Sequence, residues 1–242
     1  MQTITKLIQI FKSPNHTFSA SLLAASVVVL NAYAQPGHLQ PISVIIDSGS
    51  VATPRYTPFA LSYYPYYDGV RNDSTSRVMT DQLTPGSVQT ADRIIDLTGG
   101  GTYAYRDTSG HWAGFLLTMQ NGRAFMIANR HTARTITVQG YPADSVTYIL
   151  PMPTGSIRCI AARMASDHPV SAIGLSWSGF HWSQNMRQGG DLVIDLSSRQ
   201  IARRDSTSGW IGTLSTVRVG QPIMIQVNYP ATFDWTYNPT RE

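Results

Sequence analysis

Pro222-Ile223-Met224-Ile225-Gln226-Val227-Asn228-Tyr229 is the stretch that decides the fold class. Ile223, Ile225, Val227 and Tyr229 fall on one face of an extended chain, while Met224, Gln226 and Asn228 fall on the other. Side chains of a strand alternate between its two faces, so this pattern describes a strand with one buried side. Shortly afterwards Phe233, Trp235 and Tyr237 alternate with Asp234 and Thr236 in the same way. Working back from there, residues 94–97, 103–105, 112–119, 123–128, 135–138, 146–150, 157–164 and 173–182 read as further strands separated by turn residues. Asn121-Gly122 suits a two-residue turn in which both central positions need φ > 0, which predicts a hairpin joining 115–119 to 123–127. No internal repeat stands out.

Composition leads to the same class. Lys6 and Lys12 are the only lysines and Glu242 is the only glutamate of the 242 residues. The remaining charge is Arg and Asp, so the residues that usually cover an exposed helix face are missing. The prediction is an all-β chain, a β-sandwich or jelly-roll with an extended N-terminal arm. It divides into an apolar segment (1–34), a Pro- and Tyr-rich extended region (35–90) and a β-sandwich domain (91–242). Net charge is +4 without a basic run, so no specific nucleic-acid binding is expected. Cys159 is the sole cysteine, which excludes an intrachain disulfide and a thiolate metal cluster.

No Lys, Arg, Asp or Glu lies between Lys12 and Asp47. Leu22, Leu23, Val27, Val28, Val29 and Leu30 form an apolar run inside that stretch, followed by Ala32-Tyr33-Ala34. Two lysines, a short apolar run and a small-x-small site describe a secretory signal peptide, whereas β-branched residues at 26–30 equally suit a retained interface arm. The run is too short to be expected to span a membrane. Tyr63, Tyr64, Tyr66 and Tyr67, interrupted by Pro65, offer large contact area with polar tips. They are the second group of candidate subunit or ligand contacts.

Motifs for chemistry are sparse. Val44-Ile45-Ile46-Asp47-Ser48-Gly49 matches the aspartic-protease triplet, but that reaction needs two carboxylates sharing a proton, and no second such loop occurs. Gly99-Gly100-Gly101 lacks the Lys-Ser/Thr of a phosphate loop. The histidines show no paired metal spacing, and Asp167-His168 lacks a nucleophile elbow. No enzyme activity and no cofactor are expected.

The run 189–201, Gly-Gly-Asp-Leu-Val-Ile-Asp-Leu-Ser-Ser-Arg-Gln-Ile, resembles a hairpin of distal-tail and minor-tail proteins of long-tailed bacteriophages. In these, a Gly-Asp pair opens a strand ending in Asp and an arginine turn starts the return strand. Residues 220–237 are similar in outline. The resemblance implies a virion protein that assembles with copies of itself and other virion components. The alternative from the signal-like segment and from Trp112, Trp177, Trp182 and Trp210 is a secreted or cell-surface module binding glycan or protein.

Overall fold

The computed structural model describes residues 39–67, 69–142, 148–153, 155–161, 167–173, 175, 191–205, 209–228 and 233–237. Among them the all-β class holds: the strands form antiparallel sheets, and the single helix α1 is the turn Thr75–Val78. The candidate arm residues Leu22, Leu23, Val27, Val28, Val29 and Leu30 lie outside the described residues, as do Trp177 and Trp182.

The first half of the chain supplies β1 (Gln40–Ile46), β2 (Arg55–Ala60), β3 (Tyr63–Tyr67), β4 (Val70–Arg71), β5 (Arg93–Asp96), β6 (Tyr103–Arg106), β7 (Trp112–Gly114), β8 (Ala124–Asn129) and β9 (Arg134–Pro142). These make two sheets, ordered β1-β9-β3-β4 and β2-β8-β5-β6-β7. Ile42, Val44 and Ile46 of β1 and Ile136 and Val138 of β9 enter one core with Phe59, Ile94, Phe125 and Ile127 of the other sheet. Apolar residues at every second position of both sheets produce this sandwich-like packing. The expected boundary at residue 90 therefore falls within a single sandwich, since β1 pairs with β9 and β2 with β8.

The second half supplies β10 (Tyr148–Met152), β11 (Ile157–Ala161), β12 (His168–Pro169), β13 (Leu192–Asp195), β14 (Ile201–Asp205), β15 (Gly209–Gly212), β16 (Thr216–Val217), β17 (Pro222–Gln226) and β18 (Phe233–Tyr237). Its five-stranded sheet runs β11-β17-β13-β14-β15, and β10 pairs with β18. Ile223, Ile225, Val227, Phe233 and Trp235 are all buried in a second core, as the alternation predicts. Trp235 Nε1 donates to the Ile173 carbonyl at 2.7 Å.

The two halves follow one plan, and this corrects the reading that the chain has no internal repeat. The strand order β2-β8-β5-β6-β7 is matched position for position by β11-β17-β13-β14-β15. Ala104 faces Gly114 as Ala202 faces Gly212, and Arg106 faces Trp112 as Arg204 faces Trp210. Phe115 and Leu116 both donate to the Tyr103 carbonyl, at 2.8 and 3.0 Å; Thr213 and Leu214 both donate to that of Ile201, at 2.8 and 2.9 Å. The Thr75 amide donates to Leu117 as the Val170 amide donates to Ser215. Sparse identities, mostly single residues such as Asp96/Asp195, Trp112/Trp210 and Gly122/Gly220, hide the repeat from a linear reading.

The repeats join through a reciprocal contact. Ala60 and Ala161 hold equivalent places, opposite Ala124 and Pro222. The Ala60 amide donates to the Gly220 carbonyl at 2.9 Å, and the Ala161 amide to the equivalent Gly122 carbonyl at 3.1 Å. Ala60, Ala124 and Ala161 are buried together, with Leu97 and Cys159 packed against them. A contact in which equivalent residues exchange partners is the signature of a twofold arrangement.

The hairpin expected at Asn121-Gly122 is not formed. The Arg123 amide closes a turn on the Gln120 carbonyl at 3.2 Å, with Gly122 at φ 85°. Asn121 does not take the positive φ that a two-residue hairpin turn requires. The turn carries the chain into β8, which pairs with β2 and β5, while β7 pairs with β6.

Gly114 and Gly212 occupy equivalent bends at φ 110° and 127°, and a Cβ there would come within 2.3 and 2.2 Å of the carbonyls of Tyr103 and Ile201. Gly114→Ala and Gly212→Ala are each expected to lower stability by about 2–3 kcal/mol, since both strain and a backbone clash arise. Urea unfolding measures this; losses below about 1 kcal/mol in both variants would contradict the shared bend.

Candidate functional site

Having two copies of one plan provides an internal control. A feature present in both repeats serves the fold, and a feature confined to one repeat is free to serve something else. The buried aspartates belong to the first kind. Asp96 Oδ1 accepts the amides of Thr98 and Gly99, each at 2.9 Å. Asp195 accepts the amides of Ser197 and Ser198, at 2.8 and 3.2 Å, and the Ser198 hydroxyl. Asp92 Oδ1 accepts the Arg130 amide at 2.7 Å, and Asp191 Oδ1 the Asn228 amide at 2.8 Å. Each carboxylate closes a turn or ties a strand end in its own repeat, which is structural work.

In the first repeat both Asp92 and Asp96 also have ionic partners. Arg123 Nη1 lies 2.7 Å from Asp96 Oδ2, where the second repeat has Gln221. His131 Nδ1 lies 3.1 Å from Asp92 Oδ1, and Arg134 pairs with Asp92 Oδ2. Burial pushes the Asp92 carboxyl up, but hydrogen bonds from the Arg130 amide, His131, the Thr84 amide and Arg134 outweigh it. The group is held below its ordinary range.

The Asp-Ser-Gly triplet is irregular chain following the end of β1. Asn129 Nδ2 donates to the Asp47 carbonyl at 2.6 Å, the Gly49 amide donates to the His131 carbonyl at 2.9 Å, and the Asp47 side chain is exposed. A Cβ on Gly49 would come within 2.1 Å of the Asn129 carbonyl oxygen, so glycine is needed there for close backbone approach. Burial pushes the Cys159 thiol up to about 11, consistent with a packing residue between the repeats. Among the described residues no group of His, Cys, Asp and Glu is arranged to hold a metal ion.

The tyrosine group is divided by the structure. Tyr63 is only 4% exposed and belongs to the first core, so among the candidate contacts it is corrected to a core residue. Burial, and secondarily the Asp167 charge, push its phenol up to about 12. Arg71 lies 3.4 Å above the Tyr64 ring, and Tyr66 meets Tyr141 edge-on with centroids 5.0 Å apart. Tyr67 remains exposed beside Val70. Trp112 and Trp210, named for the exported-module alternative, are half-buried against the first and second cores.

Sequence reasoning missed the most conspicuous surface feature. Phe115 and Leu117 are 77% and 75% exposed, on either side of buried Leu116. Their counterparts flanking Leu214 are Thr213 and Ser215. The same backbone thus carries apolar residues outward in one repeat and hydroxyls in the other. Burying such a pair would yield about 1.5–3 kcal/mol per side chain. Beside them lies a cleft lined by Ser74, Thr75, Ala104, Trp112, Leu116 and Leu117. Phe115 meets Tyr103 edge-on at 6.4 Å, extending the aromatic surface. The signal that would have found this site is Gly-Phe-Leu-Leu-Thr (114–118) set against Gly-Thr-Leu-Ser-Thr (212–216).

Comparison with known proteins finds no match: no family model, no curated protein and no solved structure aligns with the chain.

Asp92→Asn is expected to lower stability at neutral pH by about 3 kcal/mol, since it leaves Arg134 facing a neutral group in a largely dry site. A depressed carboxyl contributes stability above its unfolded value of about 4 and loses it as pH falls through the folded value. Urea unfolding from about pH 7 to about pH 3 should therefore show a steeper acid loss in the wild type than in the variant. Parallel curves would contradict it.

Proposed function

We propose that this chain is a non-enzymatic structural subunit of a virion, a tail or capsid component that assembles with copies of itself and with other virion proteins through its N-terminal arm. The observation that carries the reading is the Asp–strand–Asp hairpin, the element that resembles distal-tail and minor-tail proteins. A hairpin of the same plan recurs as β5-turn-β6, with a carboxylate-closed turn like that of β13-turn-β14, but there Ala91 replaces the glycine of the Gly-Asp pair and Gly99-Gly100-Gly101 replaces the arginine turn. The recurrence makes this hairpin a unit the chain is built from. The Arg/Asp polar set also suits interface pairing, because guanidinium groups form geometrically fixed contacts with little hydration to lose. Among the described residues no helix is long and apolar enough to cross a membrane.

A second reading rests on the signal-like pattern of residues 1–34: an exported β-sandwich module that binds glycan or protein. Two measurements decide between them. In intact-mass analysis of protein from its native source, the structural reading expects Met1 retained, and export expects a start at Gln35. In light scattering, full-length protein should exceed one chain in mass, and removal of residues 1–34 should reduce it to a monomer. An unchanged mass after removal would favour the exported module.

A further inference from the structure

Resting on the assembly reading above, we infer that the cleft beside Phe115 and Leu117 is the receptor for the apolar segment 22–30 of a neighbouring copy. Three observations converge on this surface. First, the fold does not require its apolar character: Thr213 and Ser215 stand at the same two places in the second repeat, where equivalent amides donate to equivalent carbonyls. Apolar side chains exposed without a folding reason mark a surface that something covers.

Second, the cleft and the segment match in charge. The lining residues Ser74, Thr75, Ala104, Trp112, Leu116 and Leu117 carry none. The chain from residue 13 to residue 46 carries none either, and it includes Leu22, Leu23, Val27, Val28, Val29 and Leu30. An uncharged apolar segment can enter such a cleft without stripping water from an ion, which a charged peptide could not do. The hydroxyls of Ser74 and Ser76 already bond each other at 2.9 Å, and the buried Thr75 hydroxyl is the lining polar group without a partner.

Third, the tether is long enough. The described chain begins beside β1, and the residues between Leu30 and Gln40 reach roughly 30 Å when extended. From Gln40 the path to the cleft crosses neighbouring strands: Gln40 faces Gly140, Gly140 faces Pro65, and the Pro65 carbonyl accepts the Asn72 amide. The next residue, Asp73, accepts the Met119 amide, two residues beyond Leu117. Four lateral steps of about 4.8 Å and three residues travelled along the chain come to about 30 Å, which the extended tether matches.

The test uses full-length chains and complementation. One variant carries Leu23→Asp and Val28→Asp, disabling the segment; the other carries Phe115→Thr and Leu117→Ser, the residues the second repeat tolerates at those places. Circular dichroism should be unchanged in both. Light scattering should find each variant alone reduced to the mass of one chain. An equimolar mixture, pairing an intact cleft with an intact segment, should recover at least twice that mass. If the cleft variant assembles like the wild type while the segment variant does not, the arm reading stands and this receptor is wrong. If the segment variant assembles like the wild type, the arm reading itself fails. A mixture that stays at the mass of one chain overturns exchange between copies.

Discussion

Between the two repeats, the Ala60 amide meets the Gly220 carbonyl and the Ala161 amide meets the Gly122 carbonyl. Backbone groups can pair this closely across a buried boundary only where side chains are small, and Ala60, Ala124 and Ala161 supply that condition. A larger residue at any of the three would hold the sandwiches apart and leave buried amides and carbonyls unpaired. Much else follows from this constraint. It fixes where β2 and β11 end, places the turns at Gly122 and Gly220 back to back, and brings Thr98 Oγ1 to within 2.5 Å of the Cys159 carbonyl.

The duplication also sorts the polar interior. Four buried aspartates among the described residues invite a catalytic interpretation, because buried carboxylates cluster at functional sites. Here each has a counterpart accepting amides at the same place in the other repeat. What differs between repeats is the outward layer. Arg93, Tyr103, Tyr105 and Phe115 of the first stand where Leu192, Ile201, Arg203 and Thr213 stand in the second. The two sandwiches share an inside and have diverged on the outside.

The strands were legible in the sequence wherever one face is buried. Ile223, Ile225 and Val227, and Ile42, Val44 and Ile46, follow their alternation into the two cores. Pairing was less accessible, since the partner of a strand depends on contacts remote along the chain. Asn121-Gly122 shows the limit: the pair carries a hairpin signal, but β8 finds β2 and β5 instead of β7. The repeat escaped notice because alternation tolerates any apolar residue, so Ile94 and Val193 do one job without identity. The tyrosine run looked uniform, and only its position between β9 and β4 sends Tyr63 inward and leaves Tyr67 outside. Phe115 and Leu117 were invisible for a related reason. Exposure is a property of the pleat and of what lies opposite.

Val219 belongs by sequence to the second repeat, yet it is buried in the first core beside residues of β1 and β2. Next to it, a Cβ on Gly220 would come within 2.9 Å of Ile42 Cγ2. The first sandwich therefore completes its interior with a side chain that emerges from the ribosome long after β9. During synthesis that core lacks the Val219 side chain while the second repeat is made. Vectorial folding, in which the N-terminal half settles before the C-terminal half exists, is denied its last step. The two halves reach their final packing together.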